Sequence, residues 1–178
     1  ERVWVQHTFI CHKALKMENR EFKFDIESAR KQGLCTIVYE DCIDGRHIAK
    51  WFVEQAKKYR IRNIVCDDYR KSILTSSFAE VGLPLNTVRS GPITHSKVFP
   101  LIETLFATEK IVFGDDMMMR WYTNNVYVDT DGKGNKTYMK IEPRLRKTDG
   151  FFAFMHAMSK DEEIPVIQQR RPVTCFAI

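Results

Sequence analysis

Short apolar runs rich in β-branched residues alternate along this chain with longer segments whose apolar positions recur at helical spacing. That alternation restricts the fold to the α/β class. Residues 3–11 read as a strand, and a polar, charged connection leads from it to Gly33 and a second strand over residues 34–39. These two opening strands look antiparallel. Asp44 suits the N-cap of a helix over residues 46–60, with Ile48, Phe52, Ala56 and Tyr59 on one buried face. The apolar run of residues 61–66 is a third strand, followed by a helix over 71–81 that Gly82 ends and a short strand around 85–88. A helix over 95–107 places Val98, Ile102, Leu105 and Phe106 inward. A Met-rich helical stretch, 115–121, precedes a hairpin that spans 124–141 and turns at Asp131-Gly132-Lys133-Gly134-Asn135. The last clear helix, 148–158, carries Phe151, Met155 and Met158 on one face. The pattern predicts an α/β sandwich built on a mixed sheet.

With 178 residues, 44% of them hydrophobic, the chain has material for one domain with a substantial core. Its net charge of +5 favours a polyanionic partner only mildly. Cys11, Cys35, Cys42, Cys66 and Cys175 are odd in number and form no C-x-x-C pair. They read as reduced thiols in a cytosolic protein rather than as a disulfide framework or a zinc site. No apolar run is long enough for a bilayer, and residues 1–4 lack the features of a signal peptide. The absence of G-x-x-x-x-G-K-[ST] excludes a P-loop ATPase within these residues.

Asp67 is the most informative acid. It follows an apolar strand and precedes a helix, which sets it at the carboxyl edge of a sheet, where open α/β sheets hold their ligands. The same position also suits an acid that only starts a turn or caps a helix. Asp149 opens the last helix, where a negative charge complements the helix dipole. Arg144, Arg146 and Lys147 just ahead of it would put positive charge where a phosphate is received, although clustered bases also occur as plain solvated surface. Two carboxylates from distant parts of a chain can converge on a pair of divalent ions that cleave a phosphodiester. A third acid is normally wanted, and no other has an equally suggestive setting. His95 and Lys97, after Gly91-Pro92, open a helix within reach of a phosphate, or else sit on a surface loop. The spacing of Asp129, Asp131 and Gly132 is wrong for a calcium loop and reads as a hairpin turn. Met117, Met118 and Met119 beside Trp121 read as packing.

The order of several segments resembles a known family. Ile43-Asp44-Gly45, the helix through Trp51, and Ile64-Val65-Cys66-Asp67-Asp68-Tyr69-Arg70 look like the middle of the nuclease domain of tailed-bacteriophage terminase large subunits. Trp121 to Val126, Gly134-Asn135-Lys136, Met139-Lys140 and Lys147-Thr148-Asp149-Gly150 resemble its end. The similarity covers roughly residues 1–160, leaving residues 161–178 as a tail. It implies an RNase H-like mixed sheet flanked by helices, with an added β-hairpin. It also implies acids that hold two Mg²⁺ or Mn²⁺ ions, and those acids map onto Asp67 and Asp149. Arg70, Lys97, Arg144, Arg146 and Lys147 become the expected DNA contacts. The strand at 3–11 resembles the family's second strand. The expectation is therefore a fragment whose central opening strand, with the first acid, and whose ATPase motor lie upstream of Glu1. The implied activity is a metal-dependent endonuclease that cuts concatemeric phage DNA during packaging. Its implied partners are double-stranded DNA, a portal protein and a small terminase subunit, with no membrane. The implied place is the host cytoplasm and transiently the procapsid portal, and a prophage origin is compatible with it. A resolvase or transposase-type nuclease on the same fold, and a non-catalytic DNA-binding assembly module, are the alternatives. The hairpin at 124–141 favours packaging.

Overall fold

Seven α-helices and eight short strands are present in the computed structural model, which describes residues 1–16 and 23–164. Part of the polar connection (17–22) and most of the tail (165–178), with its apolar end and Cys175, lie outside the described residues.

The strands pair two by two. β1 (Arg2–Val3) lies parallel to β6 (Ile111–Val112), β2 (Thr8–Cys11) to β3 (Cys35–Val38), and β4 (Val65–Asp67) to β5 (Asn86–Val88). β7 (Val126–Thr130) and β8 (Lys136–Lys140) form the expected antiparallel hairpin. Two expectations need correction. The strand read at 3–11 is two strands, because β1 and β2 take different partners. The opening pair is parallel rather than antiparallel, with Thr8 opposite Cys35 and Cys11 opposite Val38. Its connection contains two helices, α1 (His12–Lys16) and α2 (Ile26–Lys31), so the chain crosses over instead of turning back in a hairpin. Among the described residues the strands make four separate pairs, so β2 and β4 are each bonded to a strand along one edge.

The helices begin where their caps dictate. The Asp44 carboxylate accepts the Arg46 N–H at 2.8 Å and starts α3 (Gly45–Ala56). α4 (Lys71–Glu80) ends before Gly82, whose φ of 68° is a left-handed conformation that glycine adopts without strain. α5 (Pro92–Ala107) starts earlier than its periodicity suggested, with proline in its first turn. Asp116 caps α6 (Met117–Asn124), and α7 (Asp149–Met158) is the last α-helix among the described residues.

Two clusters make the core. The larger joins Val98, Ile102 and Leu105 of α5, Met118, Met119 and Tyr122 of α6, and Phe151, Phe154, Met155 and Met158 of α7. The smaller joins Ala49, Ile64 and Phe78 under α3 and α4. Met117, Met118 and Met119 are packing residues, as expected. Ala56, Tyr59 and Phe106 were expected inside and are exposed, Ala56 and Tyr59 because α3 stops at Ala56. Cys11, Cys35, Cys42 and Cys66 are free thiols. No described helix is long and apolar enough to cross a membrane.

The contact of α3 with α4 depends on Gly45. A Cβ there would stand 2.7 Å from the Ile73 carbonyl oxygen and 2.9 Å from Ser77 Oγ. Backbone cannot yield as a flexible side chain does. Gly45→Ala is therefore expected to cost about 1–3 kcal/mol of overpacking, outweighing the ~0.5–1 kcal/mol that alanine gains in helix propensity. Urea unfolding of both proteins checks it, and an unchanged midpoint would refute the close approach.

Candidate functional site

The apolar strand β4 ends in Asp67, which is half-buried. Its Oδ1 accepts the Tyr69 N–H at 3.0 Å and so caps a short 3-10 helix, Asp68–Arg70. The capping role that its position allowed is real. It occupies one carboxylate oxygen, while Oδ2 accepts no hydrogen bond from the described residues. Arg70 is exposed, with its guanidinium 5.5 Å above the Tyr69 ring.

Asp149 is set by the segment before it. Asn125 is buried at the base of the hairpin and donates from Nδ2 to the Lys147 carbonyl at 2.9 Å. The Glu142 carboxylate accepts the N–H groups of Arg144 and Leu145 at 2.9 and 2.7 Å, which lowers its pKa and folds the basic segment into a turn. Thr148 is completely buried, and its hydroxyl has no partner among the described residues. Asp149 then occupies the first turn of α7 with its carboxylate exposed and accepting no hydrogen bond from the described residues. Gly150 lies directly against the Tyr122 ring.

α7 packs on β4, so the helix that begins with Asp149 meets the strand that ends in Asp67. Asp149 and Lys147 also line a cleft of about 310 Å³ with Thr8 to Cys11 of β2, Trp121 and Tyr122. Asp67 is not part of its wall. Inside this cleft the Tyr122 hydroxyl lies 3.1 Å from Thr8 Oγ1. Burial drives the Tyr122 pKa far up, and the negative charges of Asp149 and Asp116 add to that. The phenol therefore stays protonated at any pH the protein meets.

Carboxylate oxygens are the donors that Mg²⁺ and Mn²⁺ prefer, so the two acids fit such ions in kind. They do not suffice in number, because no three His, Cys, Asp or Glu side chains among the described residues converge well enough to hold an ion. The candidate cations differ in setting. Lys97 and Arg144 are exposed, and Arg146 and Lys147 are half-buried. Lys147 Nζ turns back to the Arg144 carbonyl at 3.4 Å. Among the described residues none of these cations, nor Arg70, forms an ion pair. His95 is a correction. It is buried, its Nδ1 accepts the Tyr138 N–H at 3.2 Å, and its ring lies between Tyr138 and Phe152, where no phosphate reaches it. Asp131 holds the hairpin turn through the N–H groups of Lys133 and Asn135, as expected. His156, a lone polar residue in the apolar run of α7, is also buried, and nothing in the sequence signals it.

Residues 3–164 match the family model of the terminase large subunit, endonuclease domain. The chain belongs to that family. This terminase endonuclease domain is also similar to two solved structures. The crystal structure of the HK97 bacteriophage large terminase aligns with a TM-score of 0.73 at 16% identity, over 85% of this chain and 32% of that one. The large terminase nuclease from thermophilic phage G20c aligns with a TM-score of 0.52 at 10% identity, over 68% of this chain and 64% of that one. At such identities the likeness is one of fold. The terminase domain thus spans about a third of the HK97 chain. No curated protein matches it.

Proposed function

We propose that this terminase domain is a divalent-metal-dependent DNA endonuclease that cuts concatemeric phage DNA by two-metal phosphodiester hydrolysis. Beyond family membership, the observation that carries the reading is the packing of α7 on β4, which joins the elements bearing Asp149 and Asp67. In this reading the architecture is RNase H-like, residues 1–160 form the nuclease and residues 161–178 a tail. The free oxygen of Asp67 and the exposed carboxylate of Asp149 hold Mg²⁺ or Mn²⁺, and a third carboxylate is needed from outside this pair. Bound ions of this kind supply an activated water and neutralise the leaving oxygen. Arg144, Arg146 and Lys147, on the turn that Glu142 organises, take DNA phosphates, as do Arg70 and Lys97. Double-stranded DNA is the substrate. A portal protein and a small terminase subunit are the partners of the whole assembly, in the host cytoplasm and transiently at the procapsid portal.

Supercoiled plasmid incubated with the protein tests this. Nicking and linearisation are expected with Mg²⁺ or Mn²⁺ and none with excess EDTA, and raising salt should suppress cleavage steeply as phosphate contacts are lost. Equal cutting in EDTA would overturn the metal dependence.

A further inference from the structure

Tyr69 is 83% exposed, more than any other tyrosine, phenylalanine or tryptophan among the described residues. A single apolar side chain on a surface is ordinary, so exposure alone assigns nothing. The place of the ring says more. The Tyr69 N–H donates to Asp67 Oδ1 at 3.0 Å, which ties the residue to the carboxylate proposed to hold the metal. Tyr69 also sits within the 3-10 helix Asp68–Arg70, which runs directly into α4, so regular structure holds its backbone on both sides.

The setting of the ring is cationic. The Arg70 guanidinium lies 5.5 Å from the ring centroid, and Lys71 comes next in the chain. Both cations are exposed, and neither forms an ion pair among the described residues. An open aromatic face beside unpaired cations suits single-stranded nucleic acid. Every base has a π-face that stacks whatever the sequence, and the cations take the flanking phosphates. A phosphodiester held for cutting at Asp67 would bring such bases within reach, since successive nucleotides lie only ~3.4 Å apart along a strand.

We infer that Tyr69 is a DNA-binding residue that stacks on an unpaired base beside the scissile phosphate, with Arg70 and Lys71 on the neighbouring phosphates. The inference rests on the reading of Asp67 as a metal ligand. In a closed duplex each base face is covered by the next base. The ring finds a face only where pairing beside the cut is open, and a mismatch lowers the cost of opening it. The domain therefore prefers locally unpaired DNA to a perfect duplex of the same length.

Two labelled duplexes test this, one fully paired and one with a short central mismatch. Binding to the parent, Tyr69→Ala and Tyr69→Trp is measured by fluorescence anisotropy with Ca²⁺, and cleavage by these proteins and Asp67→Asn with Mn²⁺. The bond to Asp67 comes from the backbone and the ring is exposed, so Tyr69→Ala keeps the cap and should melt with the parent. The expected result is that Tyr69→Ala binds the mismatched duplex about tenfold more weakly, that Tyr69→Trp does not, and that binding of the perfect duplex changes less than about twofold. In cleavage of the mismatched duplex, Tyr69→Ala should raise KM and leave kcat, the mark of a lost binding contact. A structural effect through Asp67 would instead lower kcat on both duplexes, and that result overturns the inference. So does a parent that binds the two duplexes equally, or binds neither. Tyr69→Ala that binds the mismatched duplex like the parent, while Asp67→Asn loses cleavage, overturns the inference and leaves the Asp67 reading standing. Full cleavage by Asp67→Asn ends that reading and the inference with it. Should the parent cut neither duplex, the binding comparison alone decides.

Discussion

Replacing Asp67 or Asp149 by asparagine is expected to reduce plasmid cleavage by about a hundredfold or more, with little loss of stability. An amide keeps the shape of the carboxylate and removes the charge that holds a divalent cation. The structural costs are small for separate reasons. Asparagine caps about as well as aspartate, so the bond from Tyr69 N–H to position 67 survives the change. At position 149 the loss is the interaction of one exposed charge with the helix dipole, about 0.3–1 kcal/mol. A large fall in activity at nearly constant melting temperature thus separates metal binding from folding. Asp68 offers the control, since it is an exposed neighbour outside the proposed site. Asp68→Asn should cut like the parent. If Asp67→Asn and Asp149→Asn both cleave within about twofold of the parent in Mn²⁺, the metal assignment is wrong, because losing a ligand charge costs far more than that.

The parts of the fold that were legible in the sequence are those determined locally. Asp44 before a helix, glycines at element ends and the Asp131 turn each act through bonds a few residues long. The position of Asp67 was readable for a related reason, since an apolar run that stops at a carboxylate marks the end of a strand. Pairing was not readable in the same way. β2 and β3 are parallel because α1 and α2 carry the chain across, and those helices are short and polar enough to look like a loop. β1 and β6 have two residues each and no periodicity to detect. The same limit explains His95. After Gly91-Pro92 it looks like a surface residue, but its partner Tyr138 comes from the hairpin far along the chain. His156 gives no signal in the sequence, because a single polar residue within the apolar run of α7 does not disturb its period.

These long-range contacts give the candidate site its dependence on the core. Asp149 belongs to a helix whose Phe151, Phe154, Met155 and Met158 fill the larger cluster, so the position of its carboxylate follows from how α7 seats on α5, α6 and β4. The basic turn is tied to the same base through Asn125 and the Lys147 carbonyl. The acid and the nearby cations therefore move together, and a packing change at the start of α7 should be felt as a change in activity.

Gly150→Ala is the direct test of that coupling. A Cβ at position 150 would overlap Tyr122 Cδ2 and lie 2.7 Å from Cε2. Tyr122 has little room to withdraw, being buried in the cluster with its hydroxyl against Thr8 Oγ1. Alanine gains ~0.5–1 kcal/mol over glycine in helix propensity, but overpacking a rigid core costs about 1–3 kcal/mol, so the steric term wins. The expected result is a melting temperature lower by several degrees, at ~2–4 °C per kcal/mol for a domain of this size. Cleavage should fall too, because the first turn of α7 carries Asp149 away from its place. Tyr122→Leu supplies the internal control. It removes the ring that the new methyl meets, so the double variant should be more stable than the sum of the two single losses predicts, with a coupling of roughly 0.5–3 kcal/mol. Strict additivity, or a Gly150→Ala protein as stable and active as the parent, would mean that α7 does not begin against Tyr122 in the way that places Asp149.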